Sequence, residues 1–109
     1  MKVPPALRRA CSFAQIDVDT LRKWQGHRTQ NSENDPEVRA RWKAWFWLVI
    51  VEGKSLTVAG KLAHRHHTSV LYGLRKHAQR VYGLPMGATL SEIVCAHARA
   101  SESIMRDAA

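Results

Sequence analysis

Eight residues in one stretch could do chemistry. His64, His66 and His67 stand within four positions, Thr68 and Ser69 follow at once, and Tyr72, Arg75 and Lys76 come next. Imidazoles and small hydroxyls can hydrogen-bond to base edges, a threonine methyl can meet a thymine methyl, and cations can hold phosphates. Three imidazoles could instead bind zinc, with Cys95 as a fourth ligand. Yet His66 and His67 are adjacent and would diverge on a regular helix, and there is no CxxC or HxxxH pair. Cys11 with a histidine could suggest a thiol nucleophile, but no orienting or oxyanion group accompanies it. The expectation is therefore no catalytic residue, no metal and no cofactor.

The elements that must position this stretch are legible around it. Ser55 can cap a short helix whose buried edge is Leu56, Ala59, Leu62 and Ala63. His64 to His67 break the pattern. From Thr68 a second helical stripe begins, with Val70, Leu71, Leu74, Ala78 and Val81 inward. Thr68, Ser69, Tyr72, Arg75, Lys76 and Arg80 face outward. A short helix, a turn and a helix with hydroxyls first and cations later form a helix-turn-helix pattern suited to a DNA major groove. Tyr72 has a second reading, a half-buried ring packed on the first helix of the pair. Gly83-Leu84-Pro85 ends the second helix.

Upstream, Asp35-Pro36-Glu37 is a start signal, and Val38, Trp42, Trp45, Phe46, Val49 and Ile50 follow at helical spacing. This predicts a central helix over 36–51, with Trp47, Leu48 and Val51 off the stripe. Pro4-Pro5 precede a helix over about 6–15. Ile16, Val18 and Leu21 surround a short turn or helix, and residues 25–35 read as a polar loop. Thr89 or Ser91 caps a last helix over about 89–106, with Leu90, Ile93, Val94, Ala98 and Met105 inward. The trp stripe is expected to be core rather than a stacking platform for bases.

The formal net charge of the 109 residues is +8. From Arg39 to Arg80 there are nine Lys or Arg and one acid, Glu52; the rest of the chain balances eight against eight. All of the excess thus lies in the segment that contains the helix pair, which points to a polyanionic partner. No apolar run approaches the roughly 20 residues of a membrane span. The N-terminus lacks a signal-peptide apolar region. Cys11 and Cys95 show no framework spacing and are expected to be reduced and buried, in the cytoplasm.

Residues 55–77 resemble the C-terminal DNA-binding domain of the bacterial replication initiator DnaA. That family carries Ser-Leu-Pro-Glu-Ile-Gly, a turn, Arg-Asp-His-Thr-Thr/Ser-Val and then Arg-Lys. Here stand Ser55-Leu56-Thr57-Val58-Ala59-Gly60, Arg65-His66-His67-Thr68-Ser69-Val70 and Arg75-Lys76. Arg39 and Arg41 match arginines at the start of the long family helix. The likeness covers about residues 6–82 and is strongest over 36–82. It implies an all-α, single helical domain with a helix-turn-helix, of the DnaA domain IV or Trp-repressor-like kind. It implies base contacts by His67 and Thr68, to which His66 and Tyr72 are added by position. It implies phosphate contacts by Arg65, Ser69, Arg75 and Lys76, joined by Lys61, Arg39 and Arg41.

Three departures matter. His66 replaces a family Asp, which is expected to remove an acceptor and a good helix cap. Thr57-Val58 replace Pro-Glu. The loop before the long helix is about seven residues longer than the family's and poor in arginine, leaving Arg28 as the candidate for the minor groove. There is no phosphate-binding Gly-rich loop with Lys-Ser/Thr and no room for a nucleotide-binding domain. The Met1 start and the diverged loop favour a small independent protein over a fragment. The expected partner is double-stranded DNA, with transcription or replication proteins besides, and no membrane. An alternative of another class is a protein-interaction module that uses Trp47 and the last helix.

Overall fold

The computed structural model describes residues 3–23 and 34–108, and among them there is no strand. Helix α1 spans Pro5–Ala14, with proline at its first turn. Leu7, Ala10, Cys11 and Ala14 are its buried edge, at spacings of three and four. Gln15 in a left-handed conformation ends it. Helix α2, Val18–Arg22, is one short turn capped by Asp17 and anchored by the fully buried Leu21.

Helix α3, Pro36–Phe46, begins as its start signal requires: Asp35 accepts from the Glu37 N–H at 2.9 Å, with Pro36 first. Its continuation is not a regular helix. Trp47–Val51 form a π-helical turn, closed by the Glu52 N–H on the Trp47 carbonyl at 2.9 Å. The wider turn rotates the stripe, so that Phe46, Leu48 and Val49 are all buried. That is why Leu48, off the stripe in a 3.6-residue reading, lies in the core.

Helices α4, Leu56–Ala63, and α5, His67–Tyr82, follow with a turn of three residues between them. Ser55 caps α4 by accepting from the Val58 N–H at 3.1 Å. The turn is tight. His64 takes a left-handed φ of 56°, and a Cβ on Gly60 would stand 2.6 Å from the Arg65 carbonyl oxygen. Helix α5 packs on α3 and presses on it at Gly73. A Cβ there would lie 2.4 Å from a Trp45 ring carbon and 2.6 Å from one of Trp42. Val70, Leu74 and Ala78 are buried as the stripe predicts, whereas Val81 is 56% exposed. At the end of α5 the inward edge has shifted to His77 and Tyr82, which pack on Phe46.

Helix α6, Leu90–Ala108, opens with a capping box: Thr89 Oγ1 accepts from the Glu92 N–H, and the Glu92 carboxylate accepts from Thr89. Its packed edge is Leu90, Ile93 and His97. Val94 and Ala98 are exposed, contrary to the expected stripe, because Ile93 and His97 hold the helix one position round. Met105 falls outside the described side chains. Cys95 shares the exposed side, so only Cys11 is buried; both thiols are free. No helix among the described residues is long and apolar enough to cross a membrane.

Candidate nucleic-acid interface

Helix α5 lays its inner edge on α3, which fixes what its outer edge presents. Thr68, Ser69 and Tyr72 are exposed along that edge, with Lys76 half-exposed beyond them. Lys76 Nζ donates to the Gln79 amide oxygen at 3.3 Å, one turn further on. Across the turn, exposed Lys61 and His67 line a shallow depression with Thr57 and His64. No carboxylate lines it. Thr57 and His64 were not among the expected contacts. Their signal is present in the spacing, since Thr57, Gly60, Lys61 and His64 recur at three and four and so share one edge of α4.

His66 corrects one expectation. Its imidazole does cap α5: Nδ1 accepts from the Thr68 N–H at 3.3 Å and lies 2.7 Å from Thr68 Oγ1. A ring nitrogen here does the work of the aspartate oxygen. With the hydroxyl of Thr68 held back towards His66, its methyl is the part left for an apolar contact. The His66 and His67 rings also lie against each other, with centroids 4.2 Å apart.

Two arginines leave the expected contact set. Arg41 is 4% exposed. Its guanidinium donates to the Thr20 carbonyl at 3.2 and 3.3 Å and to Glu37 Oε1 at 2.7 Å, fastening α2 to α3. A charge so enclosed cannot hold a phosphate. Arg65 is half-buried and donates to the carbonyls of Arg22, at 2.9 Å, of Lys23, and of His64, at 3.1 Å. Arg22 returns the clasp by donating to the Leu62 carbonyl at 2.9 Å. Arg22 thus sits at the carbonyl end of α4 and Arg65 at that of α2, where the helix dipoles favour a cation. Burial, with Arg41 nearby, lowers the Arg65 pKa. Arg65 therefore positions the turn between α4 and α5 before it does anything else.

The remaining expected residues fall between these cases. Arg75 is half-buried, and its Nε is enclosed without a hydrogen-bond partner. Tyr72 is 37% exposed, and its ring meets Trp42 of α3 edge-on at 6.2 Å between centroids. Arg39 lies beside the C-terminal half of α5, in a groove with Lys43 and Arg80, away from the Thr68 end. Arg28 lies outside the described residues. Trp47 is half-buried against Phe13, with ring centroids 4.4 Å apart, and its Nε1 donates to Glu52 at 2.7 Å. Among the described residues no three His, Cys, Asp or Glu side chains are grouped to hold a metal ion. No family model, no curated protein and no solved structure matches the chain.

Proposed function

We propose that this chain binds double-stranded DNA sequence-specifically, as a bacterial or phage regulator of transcription or replication without enzymatic activity, acting in the cytoplasm at the nucleoid. In this reading α4, the turn and α5 form a helix-turn-helix, and the N-terminal half of α5 enters the major groove. The observation that carries it is the outer edge of α5 and its flank. Thr68, Ser69, Tyr72 and Lys76 stand outward there, with Lys61 and His67 beside them and no carboxylate in the adjoining depression. Hydroxyls, imidazoles and a thymine-sized methyl near a helix start suit base edges, and Lys61 and Lys76 suit the phosphates either side. The resemblance to the DnaA C-terminal domain supports the same residues. The interaction-module alternative gains less support, because the Trp47 indole is already taken up by Glu52 and Phe13.

Selection from random duplex DNA tests this directly and should return one preferred site. On that site His67→Ala or Thr68→Ala should lose about 1–3 kcal/mol, with little loss on random duplex. Equal weakening on all sequences would remove both residues from base reading.

A further inference from the structure

A second surface lies on the flank of α5 that faces α3. There a groove of about 310 Å³ runs between the first half of α3 and the last turns of α5. Arg39, Lys43 and Arg80 supply its cations, Pro36, Trp42 and Val81 its apolar lining, and no carboxylate lines it. We propose that this groove docks an acidic peptide segment of a partner protein, one that carries an apolar side chain between its carboxylates.

The lining discriminates between polyanions. A duplex backbone offers phosphates and sugars but no apolar side chain, so Val81, 56% exposed at the groove, would gain nothing from it. An acidic peptide with a leucine or phenylalanine would use both halves of the lining. The three cations come from two helices, which gives carboxylates partners on both walls. Their field already reaches the groove's histidine: Lys43 and Arg80 add to burial in pushing the His77 pKa down to about 4. The position is separate from the outer edge of α5, because Gly73 and His77 mark the side of that helix that packs on α3. The inference stands apart from the DNA reading, and each can fail alone.

The test uses the full chain and a fluorescent peptide of about twelve residues that alternates Asp or Glu with Leu or Phe, followed by anisotropy. Binding should weaken with salt. Val81→Asn should weaken it about fivefold or more, as should replacing the peptide's Leu and Phe by Ser. Val81 is exposed, so this variant should keep its melting temperature, and its duplex affinity should be unchanged. Lys43→Gln should weaken the peptide and flatten its salt dependence. Three results would each overturn the proposal: no peptide binding, equal binding by Val81→Asn, or equal binding of the Ser-substituted peptide. A loss of duplex affinity in Val81→Asn as large as that in Lys76→Ala would assign the groove to DNA instead and overturn it likewise.

Discussion

Two populations among the cations of this chain do opposite work, and composition cannot separate them. Arg22, Arg41 and Arg65, around α2 and the turn, point inward and spend their donors on main-chain carbonyls. Lys61 and Lys76, on α4 and α5, stand towards solvent with hydroxyls and imidazoles beside them. The planar guanidinium suits the first task, since its fork can serve two carbonyls, or a carbonyl and a carboxylate, at once. The compact ammonium suits the second. An excess of +8 therefore overstates the charge available to a polyanion and locates part of it in the scaffold.

Arg41→Ala should break this comparison most visibly if it is wrong. The substitution leaves the Thr20 carbonyl and Glu37 without their shared donor and opens a space between α2 and α3. Loss of a buried, hydrogen-bonded charge of this kind costs about 3 kcal/mol, and Arg41→Lys should recover only part because it lacks the fork. Urea unfolding measures this. A stable Arg41→Ala variant with weaker salt dependence of DNA binding would instead put Arg41 in the interface.

Gly73→Ala comes next and contrasts the two edges of α5. On the inner edge the new methyl must displace the Trp42 and Trp45 rings, which a packed interior resists at about 1–3 kcal/mol. On the outer edge Ser69→Ala should change stability by less than about 0.5 kcal/mol. Similar values for the two by thermal or urea unfolding would mean that α5 is not seated on α3 as described.

The two edges were unequally legible in the sequence. Helix starts were readable because caps are local: Asp35, Ser55 and Thr89 each accept from an N–H two or three residues on. Core residues in mid-helix, such as Trp42, Phe46, Val70 and Leu74, followed from spacing alone. The misreadings lie where the period changes or the partner is remote. The π turn moves Leu48 inward, and the last turns of α5 and the first of α6 leave Val81 and Val94 outside. Arg41 takes its carbonyl from Thr20, a helix away in sequence, though its spacing of four from Glu37 was a visible hint. His66 was read as a lost cap because an imidazole is a rarer acceptor than a carboxylate. Its Nδ1 nevertheless reaches the same N–H.

A pH series distinguishes interior from exterior more gently. His77 packs against Phe46 at 4.7 Å between ring centroids, and burial, then Lys43, Arg80 and His97, lower its pKa from 6.5 to about 4. Below pH 6.5 the unfolded chain takes up a proton that the folded chain refuses, so stability falls as pH drops towards 4. Below that the folded imidazole is protonated too, and this contribution to the slope ends. The urea midpoint of the parent should therefore decline more steeply over this range than that of His77→Leu. Parallel declines would mean that His77 is not held neutral inside.

Lys76→Ala should have the smallest effect, and it bears most directly on the outward set. Its ammonium donates to Gln79 and stands on the edge of α5 two turns beyond Thr68, where a duplex in register with Thr68 would bring a phosphate. Removing one such contact should weaken binding to every duplex alike and reduce the slope of log affinity against log salt by about one. Stability should stay within about 0.5 kcal/mol, the reverse of Arg41→Ala. Arg65→Ala tests the boundary between the populations, because its guanidinium holds the turn through the carbonyls of Arg22 and Lys23. It should lower stability and loosen base discrimination by misplacing His67 and Thr68, while leaving the salt slope near that of the parent. An unchanged slope in Lys76→Ala, with a reduced one in Arg65→Ala, would exchange the two residues between scaffold and interface.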